Sequence, residues 1–238
     1  MNILAVESSA GAASAAVCCD GKVLSEVFTN TALTHSRTLM RCIDAALRCA
    51  EIDFDSIGAF SASIGPGSFT GIRIGCATVK GLAAAHDSPC VSVSTLEAIA
   101  YALAGIDCAA CAVMDARCGQ VYTATFDCSD GFRRLCLDQA VPIEELCEFL
   151  KNLQKNIIFI GDGAVLCYNR LKDVLPNVRL APENIRYQRA GTVALLAYWK
   201  YLEGGAIPEA ELVPSYLRLA QAQRELKRRL EQQKGERQ

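Results

Sequence analysis

The chain has 238 residues, 51% of them apolar and 21% charged, which is enough apolar material to fill one large core or two smaller ones. A formal net charge of −2 excludes a globally cationic surface of the kind that tracks nucleic-acid phosphates. No run approaches the ~20 apolar residues of a membrane helix, and Met1-Asn2-Ile3-Leu4 carries no basic leader, so a cytoplasmic protein without membrane association is expected.

Three strands open the chain, Ile3 to Glu7, Ala13 to Cys19 and Val23 to Thr29, with Asp20-Gly21 between the last two as a tight hairpin turn. A helix follows, with Thr34 as candidate cap and Leu39, Met40, Ile43, Leu47 and Ala50 at helical spacing. Beside that stripe runs a seam of small residues, Cys42, Ala45, Ala46 and Cys49. Strand Ile57 to Ile64 leads into Gly65-Pro66-Gly67-Ser68-Phe69-Thr70-Gly71-Ile72-Arg73, which opens a second helix through about Ala85. Gly75 and Gly81 inside that helix should each cost about 1 kcal/mol relative to alanine, so something must offset them. Small seams on two neighbouring helices allow close approach, within the molecule or against a second subunit.

A short strand, Cys90 to Val93, and a helix, Leu96 to Ala104, close the first half. After Gly105 the pattern restarts with strand Ala109 to Asp115, a turn at Cys118-Gly119, strand Val121 to Phe126 and a turn at Asp130-Gly131. Helix Ile143 to Leu153, strand Asn156 to Ile160 and the turn Gly161-Asp162-Gly163 follow. Hairpins mixed with strand–helix alternation predict two α/β lobes with mixed sheets. From Leu217 onward the chain is polar and basic, which reads as a solvated terminal helix and, alternatively, as an RNA contact.

Thirteen cysteines lie in apolar segments of a chain too long to need a disulfide framework, and they read as small hydrophobes. Cys108 and Cys111 fall three apart on a predicted strand, so their sulfurs point to opposite faces and cannot share a zinc ion. The glycine-rich loop at a helix start could hold an anion. It lacks the lysine of a Walker loop after Gly71, however, and has Thr70 where a dinucleotide fingerprint needs glycine. A tight turn with Ser68 or Thr70 as helix cap explains it without a ligand. Only two histidines occur; one helical turn after His35 stands Leu39, which cannot bind a metal, and no Gly-x-Ser-x-Gly elbow is present. Glu7, at the end of the first strand, is an isolated acid that reads as structural.

Five ordered blocks carry a family resemblance: Ile3-Leu4-Ala5-Val6-Glu7-Ser8-Ser9, Gly65 to Gly75, Val93-Ser94-Thr95-Leu96, Met114-Asp115-Ala116-Arg117 through Tyr122, and Pro214-Ser215-Tyr216-Leu217-Arg218. Together they resemble the TsaB family, formerly YeaZ. The resemblance implies an actin-like, sugar-kinase-like (ribonuclease H-like) two-lobed α/β fold with mixed sheets. It implies a first lobe over residues 1–105 that carries the dimerisation helices, a smaller second lobe over 106–216 whose late helix can return to the first, and a tail over 217–238.

The resemblance also implies a non-catalytic subunit that binds and activates TsaD for threonylcarbamoyl transfer to the anticodon-adjacent adenosine of tRNA. TsaE is a further partner, the chain alone is a homodimer, and tRNA is reached only through the complex. The implied interface is Cys42, Ala45, Ala46, Cys49, Gly75, Thr78 and Leu82, while Gly65, Pro66, Gly67, Ser68, Phe69, Thr70, Gly71 and Arg73 mark the family. No cofactor or metal of its own is implied; Gly161-Asp162-Gly163-Ala164 looks like a reduced nucleotide segment, and ATP belongs to the complex. Family members commonly have Asp where Glu7 stands, which weakens a magnesium role there. The alternatives from other classes are a stand-alone ATPase or kinase using Glu7 and the glycine loops, and a metallopeptidase.

Overall fold

The computed structural model describes residues 1–31 and 33–218, so the expected basic tail lies outside the described residues from position 219. In chain order the first strands are β1 (Asn2–Glu7), β2 (Ala13–Cys19) and β3 (Lys22–Thr29), followed by α1 (His35–Ala50), β4 (Ile57–Gly65), α2 (Phe69–His86), β5 (Cys90–Ser94) and α3 (Thr95–Tyr101). These strands form one sheet in the order β3-β2-β1-β4-β5. β1 to β3 are antiparallel, and β4 and β5 run parallel to β1. Asp20 and Gly21 take φ of 46° and 76°, the two consecutive positive values that a two-residue hairpin turn demands.

A second sheet uses β6 (Ala109–Asp115), β7 (Gln120–Asp127), β8 (Arg133–Arg134) and β9 (Gln139–Pro142), then α4 (Ile143–Lys151), β10 (Ile157–Ile160), α5 (Ala164–Leu171) and β11 (Val178–Leu180). Its order is β11-β10-β6-β7-β8, with β9 also paired to β7. The short α6 (Glu183–Arg186) and the long α7 (Ala190–Leu202) follow, with a 3-10 turn at Glu209–Glu211 after them.

Alternation along β1 sorts the core. Leu4 and Val6 join Leu39, Ile43, Phe60 and Val79 beneath α1 and α2, whereas Ile3 and Ala5 join Val91, Val193 and Ala197 beneath α7. α7 thus returns from the second half to cover the far face of the first sheet. The second sheet packs α4 and α5 on one face. On the other it packs α3, through Leu96, Ile99 and Phe126. α3 therefore joins the two sheets, and Lys200 of α7 holds it with a 2.7 Å bond to Glu97.

Three expectations need correction. Thr34 stands at the start of α1 but makes no side-chain cap; its hydroxyl lies 3.1 Å from Ser36 Oγ instead. The helix expected to reach Ala104 ends at Tyr101, because the chain turns there with Ala104 N–H donating to the Tyr101 carbonyl. The helix expected to reach Leu153 ends at Lys151.

Phe60, fully buried and in contact with the rings of Phe54 and His86, is a direct probe of the first core. Phe60→Ala should cost about 3–5 kcal/mol through lost burial and the cavity left behind. Urea unfolding should show this as a lowered midpoint with an unchanged slope.

Candidate functional site

The two sheets leave a cleft of about 460 Å³ between them. Its first-lobe wall is Ser9 to Gly11 and Pro66 to Phe69, its second-lobe wall includes Met114 to Arg117 with Asp162, and Ser215 to Arg218 lie across it. Four of the five family-marking blocks therefore contribute lining residues to one cleft. The fifth joins at the floor, where Ser94 pairs with Gly65. The volume lies within the range of small-molecule sites.

Close packing explains the glycines. A Cβ on Gly67 would stand 2.4 Å from the Ser9 carbonyl oxygen, on Gly71 2.1 Å from that of Ser8, and on Gly75 2.5 Å from Ser8 Oγ. The same atom on Gly65, whose φ of 127° already favours glycine, would stand 2.3 Å from the Ser215 carbonyl oxygen. Ser8 Oγ donates to the Gly71 carbonyl at 2.9 Å, and Ser68 N–H donates to the Ser9 carbonyl at 2.7 Å. Ser68 also caps α2, accepting from Gly71 N–H at 3.2 Å. The loop is thus fastened to the turn after β1 by its own backbone. Gly161 repeats the device in the second lobe, its missing Cβ lying 2.1 Å from the Val113 carbonyl oxygen. Gly81 differs: among the described residues nothing lies within 4 Å of its missing Cβ, so no contact with them offsets its cost to α2.

One carboxyl group, Asp162, lines the cleft and a second, Glu7, is buried near it. Glu7 is 1% exposed; its Oε1 accepts the Ser9 N–H at 2.6 Å, and its Oε2 has no partner. Burial raises its pKa above the usual carboxylate value, against partial relief from the Ser9 N–H, and the nearby Asp162 charge adds to the rise. Asp162 opens to the cleft between protein walls that raise its pKa, while Gln188 Nε2 donates to it at 3.0 Å and acts the other way. The hydroxyls of Ser9, Ser63 and Thr95 and the Gln188 carbonyl are buried without partners. Glu7 stands opposite Ser14, and Ser63 follows the residue opposite Val6, so a polar row crosses the sheet end. Ser63 and Gln188 carry no sequence signal, since each is a lone polar residue in an ordinary setting, whereas Thr95 falls in the block Val93 to Leu96 without a role assigned to it.

The other singled-out residues separate. His35 Nε2 is 2.7 Å from the Ala10 carbonyl, and Leu39 lies in the core. Among the described residues no three His, Cys, Asp or Glu side chains are placed to hold a metal ion. Cys108 and Cys111 belong to different clusters on opposite faces of the second sheet. Burial pushes the Cys111 thiol up to about 12 and those of Cys76 and Cys90 to about 11. Of the seven residues named for a partner surface, Cys42, Ala46 and Gly75 lie inside the core. Ala45, Thr78 and Leu82 are half-buried and Cys49 is exposed. The outer face of α2 also exposes Arg73, Ala77, Gly81, Ala84 and Ala85. Within the loop, Gly65, Pro66 and Gly71 are buried, Gly67 and Phe69 half-buried, and Ser68, Thr70 and Arg73 exposed.

A family model described as TsaD, tRNA N6-adenosine threonylcarbamoyltransferase, matches residues 22–226. A Bacillus subtilis relative named tRNA threonylcarbamoyladenosine biosynthesis protein TsaB is 30% identical over 94% of this chain and 96% of its own. The chain belongs to the TsaB family. YeaZ from Pseudomonas aeruginosa shares its fold, with a TM-score of 0.76 at 24% identity over 91% of this chain and 99% of that one. Component A of (R)-2-hydroxyglutaryl-CoA dehydratase from Acidaminococcus fermentans, with a TM-score of 0.51 at 12% identity over 85% and 99%, shows the same architecture. The TsaB-family chain thus has the actin-like, sugar-kinase-like two-lobed fold, and its cleft is the groove between the lobes.

The raised Glu7 pKa makes the folded chain hold a proton that the unfolded chain releases above the ordinary value of 4.5, so this group's contribution to stability falls as pH rises from there through the folded value. Glu7→Gln keeps the shape and supplies N–H donors. It should melt higher than wild type at neutral and alkaline pH, with the gain vanishing toward pH 4.5. Superimposable melting-versus-pH curves for the two proteins would refute this reading.

Proposed function

We propose that this TsaB-family chain is a non-catalytic subunit in tRNA threonylcarbamoyladenosine biosynthesis, which binds a TsaD-type transferase through the outer face of α1 and α2 and activates it. The outer face of α2 carries the proposal. The solvent face of a surface helix is normally polar, yet beside Arg73 α2 leaves Ala77, Gly81, Ala84 and Ala85 open to solvent among the described residues. Small side chains let a second helix approach closely. Gly81, costly and without a contact among the described residues, acquires a reason if a partner backbone lies against it. Cys49 and Ala45 of α1 extend the surface.

The cleft supports a non-catalytic reading. The first-lobe acid is buried under the cleft, and the spaces beside the loop glycines are filled by the chain's own backbone. On this reading the chain needs no cofactor, ATP serves the assembly, and tRNA is reached through the transferase. A TsaE-type ATPase joins the same assembly, and in the absence of the transferase the small-residue face pairs two copies. All of this is work of the cytoplasm.

Gly81→Glu and Ala77→Glu place a charge on open surface, so both variants should melt within about 2 °C of wild type, as surface substitutions do. Each should abolish co-purification with the transferase of the same cell and reduce reconstituted tRNA modification to the transferase-only level. Wild-type behaviour of both variants in both assays would overturn the interface.

A further inference from the structure

The block Pro214-Ser215-Tyr216-Leu217-Arg218 is left without a task by a partner surface on α1 and α2. Leu212 is fully buried in the first core, and the chain beyond it leaves that core and crosses to the second lobe. Ser215 N–H donates to the Ile64 carbonyl at 2.8 Å. The Tyr216 ring stacks on Phe69 at 4.7 Å between centroids, and its hydroxyl accepts from Arg73 Nε at 2.9 Å. The Arg73 guanidinium also lies 4.1 Å from the Phe69 centroid. Arg218 Nη1 then donates to the Ala116 carbonyl of the second lobe at 2.7 Å.

Among the described residues, 213–218 are held by hydrogen bonds, a ring contact and the Ser215 carbonyl pressed against Gly65. Val213 is 59% exposed, Tyr216 40% and Leu217 36%, so no buried apolar anchor holds this segment. Such a segment opens at low cost while the core beneath stays folded. Arg73 is one helical turn from Ala77 and exposed on the same face of α2. Hence the residue that fastens Tyr216 also belongs to the surface assigned to the partner. A carboxylate brought there would outbid a neutral phenol for the guanidinium, because an ionised acceptor makes the stronger bond.

We propose that residues 213–218 form a clasp over the interlobe cleft, hinged at Leu212, and that an acidic group of the docked partner opens it by drawing Arg73 away from Tyr216. The clasp itself stands on the isolated chain; only its release rests on the partner reading.

Amide hydrogen exchange of the full-length chain tests both parts. Without partner, Arg218→Ala and Tyr216→Phe should each speed exchange in segments 114–118 and 215–218 by about tenfold, the factor expected from losing one hydrogen bond to a charged group. Tyr216→Phe keeps the ring stack and so guards against a folding defect in the other variant. Wild-type exchange in both would overturn the clasp. With the transferase of the same cell added to the wild type, α2 should gain protection while segment 215–218 loses it. Protection of α2 with no change in 215–218 would overturn the release step. No protection anywhere would overturn the partner reading, leaving the clasp to be decided by the variants alone.

Discussion

The backbone contact between the turn after β1 and the first turns of α2 is the constraint on which the rest depends. Ser8 and Ser9 press against Gly67, Gly71 and Gly75 at distances that leave no room for a Cβ, and two hydrogen bonds fix the register. This contact sets the position of α2 over the sheet, brings Ser9 and Ser68 to the cleft wall and determines which side of α2 faces outward. Protein packing alone therefore requires glycine at positions 67, 71 and 75.

The same contact divides the chain's two surfaces. Inward, the loop meets the second-lobe residues Met114 to Arg117 across the cleft. Outward, α2 presents small residues that the described part of the chain leaves exposed. α3 and the segment after Leu212 both pass between the lobes, so the lobes are tied at the floor and at the rim. Within this actin-like frame the acid at the end of β1 lies beneath the surface.

Much of the fold was legible in the sequence because its signals are local. Asp20-Gly21 marks its hairpin through backbone sterics, and the strand leading into Gly65 marks the start of α2. α7 was not legible from periodicity: its residues are apolar on nearly every side, and only a distant sheet decides which side is covered. The site was legible as motifs but not as contacts. Gly75 and Gly81 look alike in sequence, yet one fits against Ser8 and the other faces open space. The seam on α1 likewise mixes Cys42 and Ala46, which face the core, with Ala45 and Cys49, which face outward, because small residues suit either side.

The thirteen cysteines carry a last consequence. Nine are buried, Cys19 and Cys136 are half-covered, and Cys49 and Cys118 stand exposed. Cys49 belongs to the outer face of α1, and Cys118 to the hairpin turn beside Arg117 at the cleft. Thiolate, the form that reacts, is scarce where burial raises the pKa. An electrophile in solution would thus sort this sulfur-rich chain by access, meeting Cys49 on the outer face of α1 and Cys118 beside the cleft before any of the nine buried thiols.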